Sequence, residues 1–346
     1  MVGIDEVARA AGVSTATVSR ALSGRGRVSA PTRMRVEQAA ERLGYVVQAS
    51  ASSLASGRTR SIGVLVPLLD PWFFSTVLGG IADALARRGY DITLYVLSED
   101  AEARRTMFGT FLRRQRVDAV IAVSISLGED ETDALIGIGV PVVRIGAPRA
   151  GLTSLTVDDE AVGALATAHL LKLGHRVIAH IGAARESDGD YRVPAQRRRG
   201  HEQALVQAGV TPQPDLFEPA DFTILGGGAA ARRLLDNGGS RPTAIFAASD
   251  EMAVGAILAA RELGVRVPED LSVVGVDGHE LGASLGLTSV DQFPREQGVR
   301  AAETVLDLLE PGPTTDAPPP HGGLRFELVV RASTAPPSSA HVGSGA

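Results

Sequence analysis

At 346 residues the chain is too long for one compact core, and 44% hydrophobic with 21% charged residues is a globular composition that excludes disordered, collagenous and membrane classes. The net charge of −6 is unevenly spread: residues 1–60 hold nine arginines against four acids, a net of +5, which leaves −11 on the remainder. A basic head on an acidic body suits a protein that meets phosphates at one end. The absence of cysteine excludes disulfides and thiolate chemistry. The start has no basic region followed by an apolar stretch, and no apolar run nears the ~20 residues that cross a bilayer. A cytoplasmic protein without membrane contact is expected.

In chain order, Ile4, Val7, Ala8 and Ala11 give one apolar stripe on a short helix that Gly12 stops. Ser14 is a good N-cap for a second helix, with Thr17 three residues on and Val18 and Leu22 facing inward. A turn of only Gly12 and Val13 between two short helices is the sequence form of a helix-turn-helix. Ser29 is expected to cap a third helix with Pro31 in its first turn, a stripe of Val36, Ala40 and Leu43, and Gly44 at its end. With Val18 and Leu22 buried, Thr15, Ala16, Ser19 and Arg20 face outward. An arginine bonds guanine O6 and N7 together, small apolar groups meet the thymine methyl, and hydroxyls reach phosphate or base.

The runs Asp5-Glu6-Val7-Ala8, Ala11-Gly12-Val13-Ser14, Thr17-Val18-Ser19-Arg20 and Val28-Ser29 resemble the lactose-repressor/galactose-repressor family of bacterial regulators. The resemblance implies that Thr15, Ala16 and Arg20 read bases while Ser14, Thr17 and Ser29 steady the DNA backbone. Gly3 departs from the family's usual threonine N-cap. Gln48 to Ser56 is too short and small to be stable as a lone helix. The family has here a hinge helix that orders in pairs on DNA and wedges a leucine into the minor groove, a place taken by Leu54. Small Ala49, Ala51 and Ala55 would let two such helices approach, while Val47, Gln48 and Ser52 replace the family's proline, asparagine and arginine.

From Ser61 onward, apolar runs at 62–66, 92–96, 119–123, 140–145, 177–181, 244–248 and 271–276 alternate with helical patterns. Continuous apolar strands between helices mean parallel sheet covered on both faces, with ligands beyond the strands' carboxyl ends. Pro67 to Phe74 follows the first strand and carries Asp70, the only tryptophan, Trp72, and Phe73, rings suited to stacking on a sugar. Ser249-Asp250 reads as a helix N-cap after 244–248, Asp277 follows 271–276, and Gln292-Phe293 follow Leu287 to Val290. Polar groups at several strand ends are what a preformed cleft requires.

The resemblance runs on to Leu328-Val329-Val330-Arg331-Ala332-Ser333-Thr334. It implies an N-terminal all-α helix-turn-helix domain (1–46), a hinge (47–60), a two-lobed periplasmic-binding-protein-like α/β body (61–335) and a disordered tail (336–346). Lobe one would hold 61–158 plus 291–335, and lobe two 159–290. The family's effector positions fall on Asp70, Trp72, Phe73, Arg197, Ser249, Asp277, Gln292 and Phe293. Gly146 replaces a common aspartate, and Ser249 a common asparagine.

Proline and small residues after Leu309 leave no heptad, so a homodimer on a palindromic double-stranded operator is the expected assembly. The expected function is a repressor-type regulator whose operator affinity a sugar-like effector controls, with no cofactor, no metal and no catalysis. The alternative is a sugar-binding protein or sugar-metabolising enzyme of the same fold. For an enzyme the signals are poor. Lys172 is the only lysine, so there is no phosphate loop, and Gly226-Gly227-Gly228 lacks the strand and spacing of a dinucleotide fingerprint. His169, His175 and His180 read as packing or turn residues.

Overall fold

A computed structural model describes residues 2–22, 27–45, 58–98, 100–114, 117–183, 192–236, 241–310 and 321–338. The chain divides into two compact units, residues 1–60 with 116–118, and the rest. Among the described residues no helix is long and apolar enough to cross a membrane.

In the first unit, α1 (Ile4–Ala11), α2 (Thr15–Leu22) and α3 (Ala30–Leu43) share a core of Val7, Ala8, Ala11, Val18, Ala21, Val36, Ala39 and Ala40. Leu22 and Leu43 pack on it from the edge rather than inside it. Gly12 and Gly44 end α1 and α3 at φ +63°, where an L side chain would be strained. Ser14 caps α2, its Oγ accepting the Thr17 N–H at 3.2 Å and pairing with Thr17 Oγ1 at 2.9 Å. Ser29 precedes α3, but its hydroxyl donates to Thr32 Oγ1 at 2.9 Å and caps no backbone N–H. Gly3 has no capping side chain, and Glu6 compensates by accepting the Gly3 N–H at 2.9 Å.

The second unit holds two six-stranded sheets. In the first, β1 (Ser61–Val66) lies between β2 (Asp91–Val96) and β3 (Ala119–Val123), followed outward by β4 (Val142–Ile145), β5 (Thr153–Thr156) and β11 (His321–Gly323), all parallel. In the second, β8 (Ala244–Ala247) lies between β6 (Ile178–Gly182), which leads to β7 (Phe217–Pro219), and β9 (Ser272–Asp277), which leads to β10 (Thr288–Asp291) and antiparallel β12 (Glu327–Val329). All seven apolar runs form strands, shifted by two residues at most. The additional β5, β7, β11 and β12 are three or four residues long, and too short or too polar to stand out.

The chain passes from the first sheet to the second at 157–158 and returns at 292–293. It then crosses a third time at 324–326, which corrects the assignment of 327–335 to lobe one. Strand β12 pairs with β10, and the tail beyond it is tied into the second sheet: Ser333 Oγ donates to Val273 O at 2.6 Å and accepts from Thr288 N at 2.8 Å. A strand of only three residues carries no periodic signal of which sheet it will join. The expected tail begins within this region, and only its residues 336–338 are described.

The helices that flank the sheets cross backbone to backbone. Helices α7 (Asp159–Lys172) and α8 (Val193–Gln207) meet at Gly163 and Gly200, where added Cβ atoms would lie 2.1 Å from Arg197 O and 1.9 Å from Glu160 O. The same reciprocal approach joins α4 (Trp72–Ala86) to α12 (Pro294–Leu309) at Gly80 and Gly298, and α9 (Ile224–Asp236) to α10 (Asp250–Glu262) at Gly227 and Gly255. The Gly226–Gly228 run is therefore a packing surface.

Candidate ligand cleft and nucleic-acid interface

On α2 the residues expected to face outward do so. Thr15, Ala16, Ser19 and Arg20 are exposed while Val18 is fully buried. Arg20 Nε donates to Ala16 O at 3.0 Å, which lays the side chain along the outer face of the helix. Ser14 and Ser29 are exposed near the starts of α2 and α3, and Thr17 is half-buried. Leu54 lies outside the described residues.

In the second unit the strand ends of both sheets border a cavity of about 540 Å³, within the range of small-molecule sites. Phe73, Arg197, Ser249, Asp277 and Gln292 all line it. The polar floor is built by the α7–α8 crossing. Because Gly163 and Gly200 let the two backbones touch, Asp159 at the start of α7 lies beside Arg197 on α8. Arg197 Nε donates to Asp159 Oδ1 at 2.8 Å and Nη1 to Ala248 O at 2.6 Å, with Asp277 Oδ1 4.0 Å away. Gln292 Nε2 donates to Asp277 Oδ1 at 2.5 Å, and Gln297 Nε2 to Gln292 O at 2.7 Å. Arg197, Asp159, Asp277, Gln292 and Gln297 are all buried, so the network is a pre-organised wall.

Burial raises the carboxyl pKa of Asp277 and of Asp159. Arg197 draws both down, by contact at Asp159 and from 4.0 Å at Asp277, but less than burial raises them. Glu251, also on the wall, is raised by half-burial. Asp277 has φ +126°, a backbone conformation that costs about 1–3 kcal/mol in a residue other than glycine. It is followed by Gly278 at φ +78°, where a Cβ would meet the Asp291 carboxylate at 2.3 Å. This turn ends β9 sharply and brings the Asp277 carboxyl to the cavity wall.

Three expected ligand residues are elsewhere. Asp70 is exposed and does not line the cavity, though Leu68 and Pro71 on either side of it do. Trp72 opens α4 one position before Phe73 and so faces a different direction, stacking on His279 with ring centroids 4.4 Å apart. Phe293 sits at φ +51° in the turn into α12, under the Arg325 guanidinium 3.6 Å from its ring centre. Ser249 borders the cavity, but its hydroxyl accepts the Met252 N–H at 3.3 Å as the cap of α10. Gly146 also lines the wall at φ +141°, with the guanidinium of buried Arg144 3.5 Å from where its Cβ would stand.

Sequence reading missed Ser98, Arg104, Ser124, Ser126, Asp159, Asp221, Glu251 and Gln297 on the same wall. Asp159 carried a usable signal, since paired Asp158-Asp159 open a helix just after β5. Arg104 is held by Glu131 through two bonds of 2.7 Å. The histidines do pack: His180 clusters with His201 and Phe246, with centroids 5.3 and 4.8 Å away and the latter two 5.7 Å apart, and His175 bonds Thr243, Ser272 and Ala335.

Residues 3–48 match the model of the bacterial regulatory proteins, lacI family, and residues 167–334 that of a periplasmic binding protein-like domain. The chain is 33% identical over 341 residues to the HTH-type transcriptional regulator CelR of Thermobifida fusca, covering 95% of this chain and 97% of that protein. It is 33% identical over 295 residues to catabolite control protein A of Priestia megaterium, covering 84% and 87%. Among solved structures, a lac repressor dimer bound to operator and the anti-inducer ONPF matches with a TM-score of 0.82 and 28% identity, covering 96% of this chain and 99% of that one. A CelR–cellobiose complex matches at 0.69 and 32%, covering 96% and 100%. A helix-turn-helix head, a two-lobed body with a polar cavity, and relatedness over nearly the whole chain place this protein in the LacI family, as a DNA-binding transcriptional regulator.

Proposed function

We propose that the protein is a homodimeric repressor of a palindromic operator, acting in the cytoplasm without catalysis or cofactor, and that a neutral, hydroxyl-rich effector in the cavity sets its operator affinity. Thr15, Ala16 and Arg20 are assigned to base edges, with Ser19 beside them on the exposed face. Ser14, Thr17 and Ser29 are assigned to phosphates and Leu54 to a minor-groove wedge. Phe73 offers an apolar face to the effector, while Arg197, Asp277 and Gln292 meet its hydroxyls and Ser249 shapes the wall, with Asp159 holding Arg197 in place.

The observation that carries the effector class is the charge balance of the wall. Asp159, Asp221, Glu251 and Asp277 face two guanidiniums, Arg104 and Arg197, and each guanidinium is already held by a carboxylate. A phosphate or carboxylate entering this cavity would find each of these guanidiniums already committed to a carboxylate. A polyol or glycoside instead supplies the donors such a wall accepts. A LacI-family relative crystallised with cellobiose and another with ribose agree with that class.

Control requires only that the effector bind two arrangements of the lobes unequally, since a ligand shifts an equilibrium by its differential affinity. The test is a thermal-shift panel of ribose, glucose and cellobiose beside glucose 6-phosphate, followed by operator binding with each hit. Neutral sugars are expected to raise the melting temperature and change operator affinity, and the phosphorylated sugar to do neither. Binding of glucose 6-phosphate would refute the effector class. Binders that leave operator affinity untouched would refute the regulatory role assigned to the cavity.

A further inference from the structure

Trp72 is the only tryptophan of the chain, and its partners lie across the cleft in the other lobe. Its ring stacks on His279 at 4.4 Å and an interplanar angle of 21°. Its backbone N–H, one of the four donors that α4 leaves without an intrahelical acceptor, lies close enough to the Glu251 carboxylate on α10 to draw that group's pKa down against its burial. His279 is fixed from behind, with its own N–H donated to Asp250 Oδ2 at 2.7 Å and its Nδ1 accepting from Leu281 N at 2.9 Å. It is presented by the strained Asp277–Gly278 turn, whose first residue is on the cavity wall. Glu251 is on that wall too, and Phe73 follows Trp72 directly. Each partner in this seam is therefore within two residues of a group lining the cavity, or is itself one.

We propose that Trp72 and His279, with Glu251, form an interlobe clasp at the edge of the cleft. Trp72 is a positioning residue in it. It does not touch the ligand but sets how Phe73 on one lobe faces Asp277 on the other. The arrangement accounts for a tryptophan at a strand end that does not line the cavity, and for a strained turn that places Asp277 and the His279 ring together. The clasp is independent of the identity of any ligand and is testable without one, so its failure would leave the proposed effector class standing.

Because the chain has one tryptophan, the whole indole emission reports on this contact. In the full-length protein, His279→Ala is expected to increase acrylamide quenching of Trp72 and to speed hydrogen exchange at the Trp72 amide by about tenfold. Amides of β1 and β6 should stay protected. His279→Phe keeps a stacking ring but loses the Nδ1 acceptor, and it should restore both signals. Trp72→Ala should speed exchange at the residue-72 amide as His279→Ala does, because without the stack nothing keeps the first turn of α4 beside Glu251. Unchanged quenching or exchange in His279→Ala would overturn the clasp. So would failure of His279→Phe to restore the signals, because the cap on Leu281 rather than the stack would then hold the seam.

Discussion

Arg20 and Asp277 are the residues to which the proposed function assigns base reading and effector contact, and each rests on local geometry. Arg20 is exposed on α2 beside Thr15 and Ala16, with only its Nε tied to the helix. Replacing it with alanine is expected to lower discrimination between operator and random DNA by roughly 1–3 kcal/mol. Competition binding checks this, and an equal loss on both kinds of DNA would contradict base reading. Asp277 has its pKa raised by burial. A carboxyl raised in the folded state stabilises the fold fully below its unfolded pKa of about 4, and that contribution drains away as pH rises through the folded value. Asp277→Asn removes the charge while keeping an acceptor for Gln292. It should leave stability near pH 5 little changed, gain on the order of 1 kcal/mol at pH 8, and abolish the effector response. Urea midpoints at the two pH values and a ligand titration read these effects, and a loss of stability at pH 8 would show that the ionised carboxylate is needed by Arg197.

At the level of elements, three helix pairs are set by glycines that let backbones touch, and one of them builds the site. Gly200→Ala places a Cβ where the Glu160 carbonyl stands, so α8 must move off α7 and take Arg197 away from Asp159. Overpacking of this kind costs typically about 1–3 kcal/mol. Chemical denaturation should show that loss, and an effector titration a larger one, since the wall itself is displaced. A second element-level feature is the stack of His180 on Phe246, with His201 and Phe217 around it, which joins β6, α8, β8 and β7. Burial lowers the His180 pKa to about 4, and the neutral ring donates Nδ1–H to Phe246 O at 3.0 Å. The unfolded chain takes up this proton near pH 6.5 and the folded one only near 4, so stability falls as pH drops through that window. Between pH 7.5 and 5 this one residue accounts for about 2 kcal/mol. His180→Phe should keep the stack and lessen the acid sensitivity by about that amount. Equal acid sensitivity in the two proteins would assign the effect elsewhere.

For the whole molecule the uneven charge is the governing feature. A head of +5 on a body of −11 confines phosphate attraction to one end, and the body's own field opposes non-specific adhesion of the rest. Operator affinity should therefore fall steeply with salt, by about 10³–10⁵ between 50 and 200 mM for a dimer with six to ten phosphate contacts. The slope of log affinity on log salt measures this. Body variants such as Asp277→Asn should shift the affinity without changing the slope. A shallow slope in the wild type would contradict a phosphate-anchored head.

The sequence by itself determined the elements whose signal is local. Helical periodicity and capping defined α1, α2 and α3, and with them the exposed face of Thr15, Ala16 and Arg20, because a short helix buries whatever its stripe dictates. Seven apolar runs defined the parallel strands, because a strand covered on both faces must be apolar throughout. Phe73, Ser249, Asp277 and Gln292 of the cavity wall were legible as polar or aromatic groups at strand ends, and Arg197 through the family resemblance. Tertiary structure decided what depends on partners distant in the chain. Strand β12 joined the second sheet because β10 offered it an open edge. Asp159 entered the site because Gly163 and Gly200 allow α7 to touch α8, while Trp72, one position from Phe73 on a helix, was turned by about 100° toward His279. Direction around a helix and proximity across a crossing are set by packing, and no spacing along the chain encodes them.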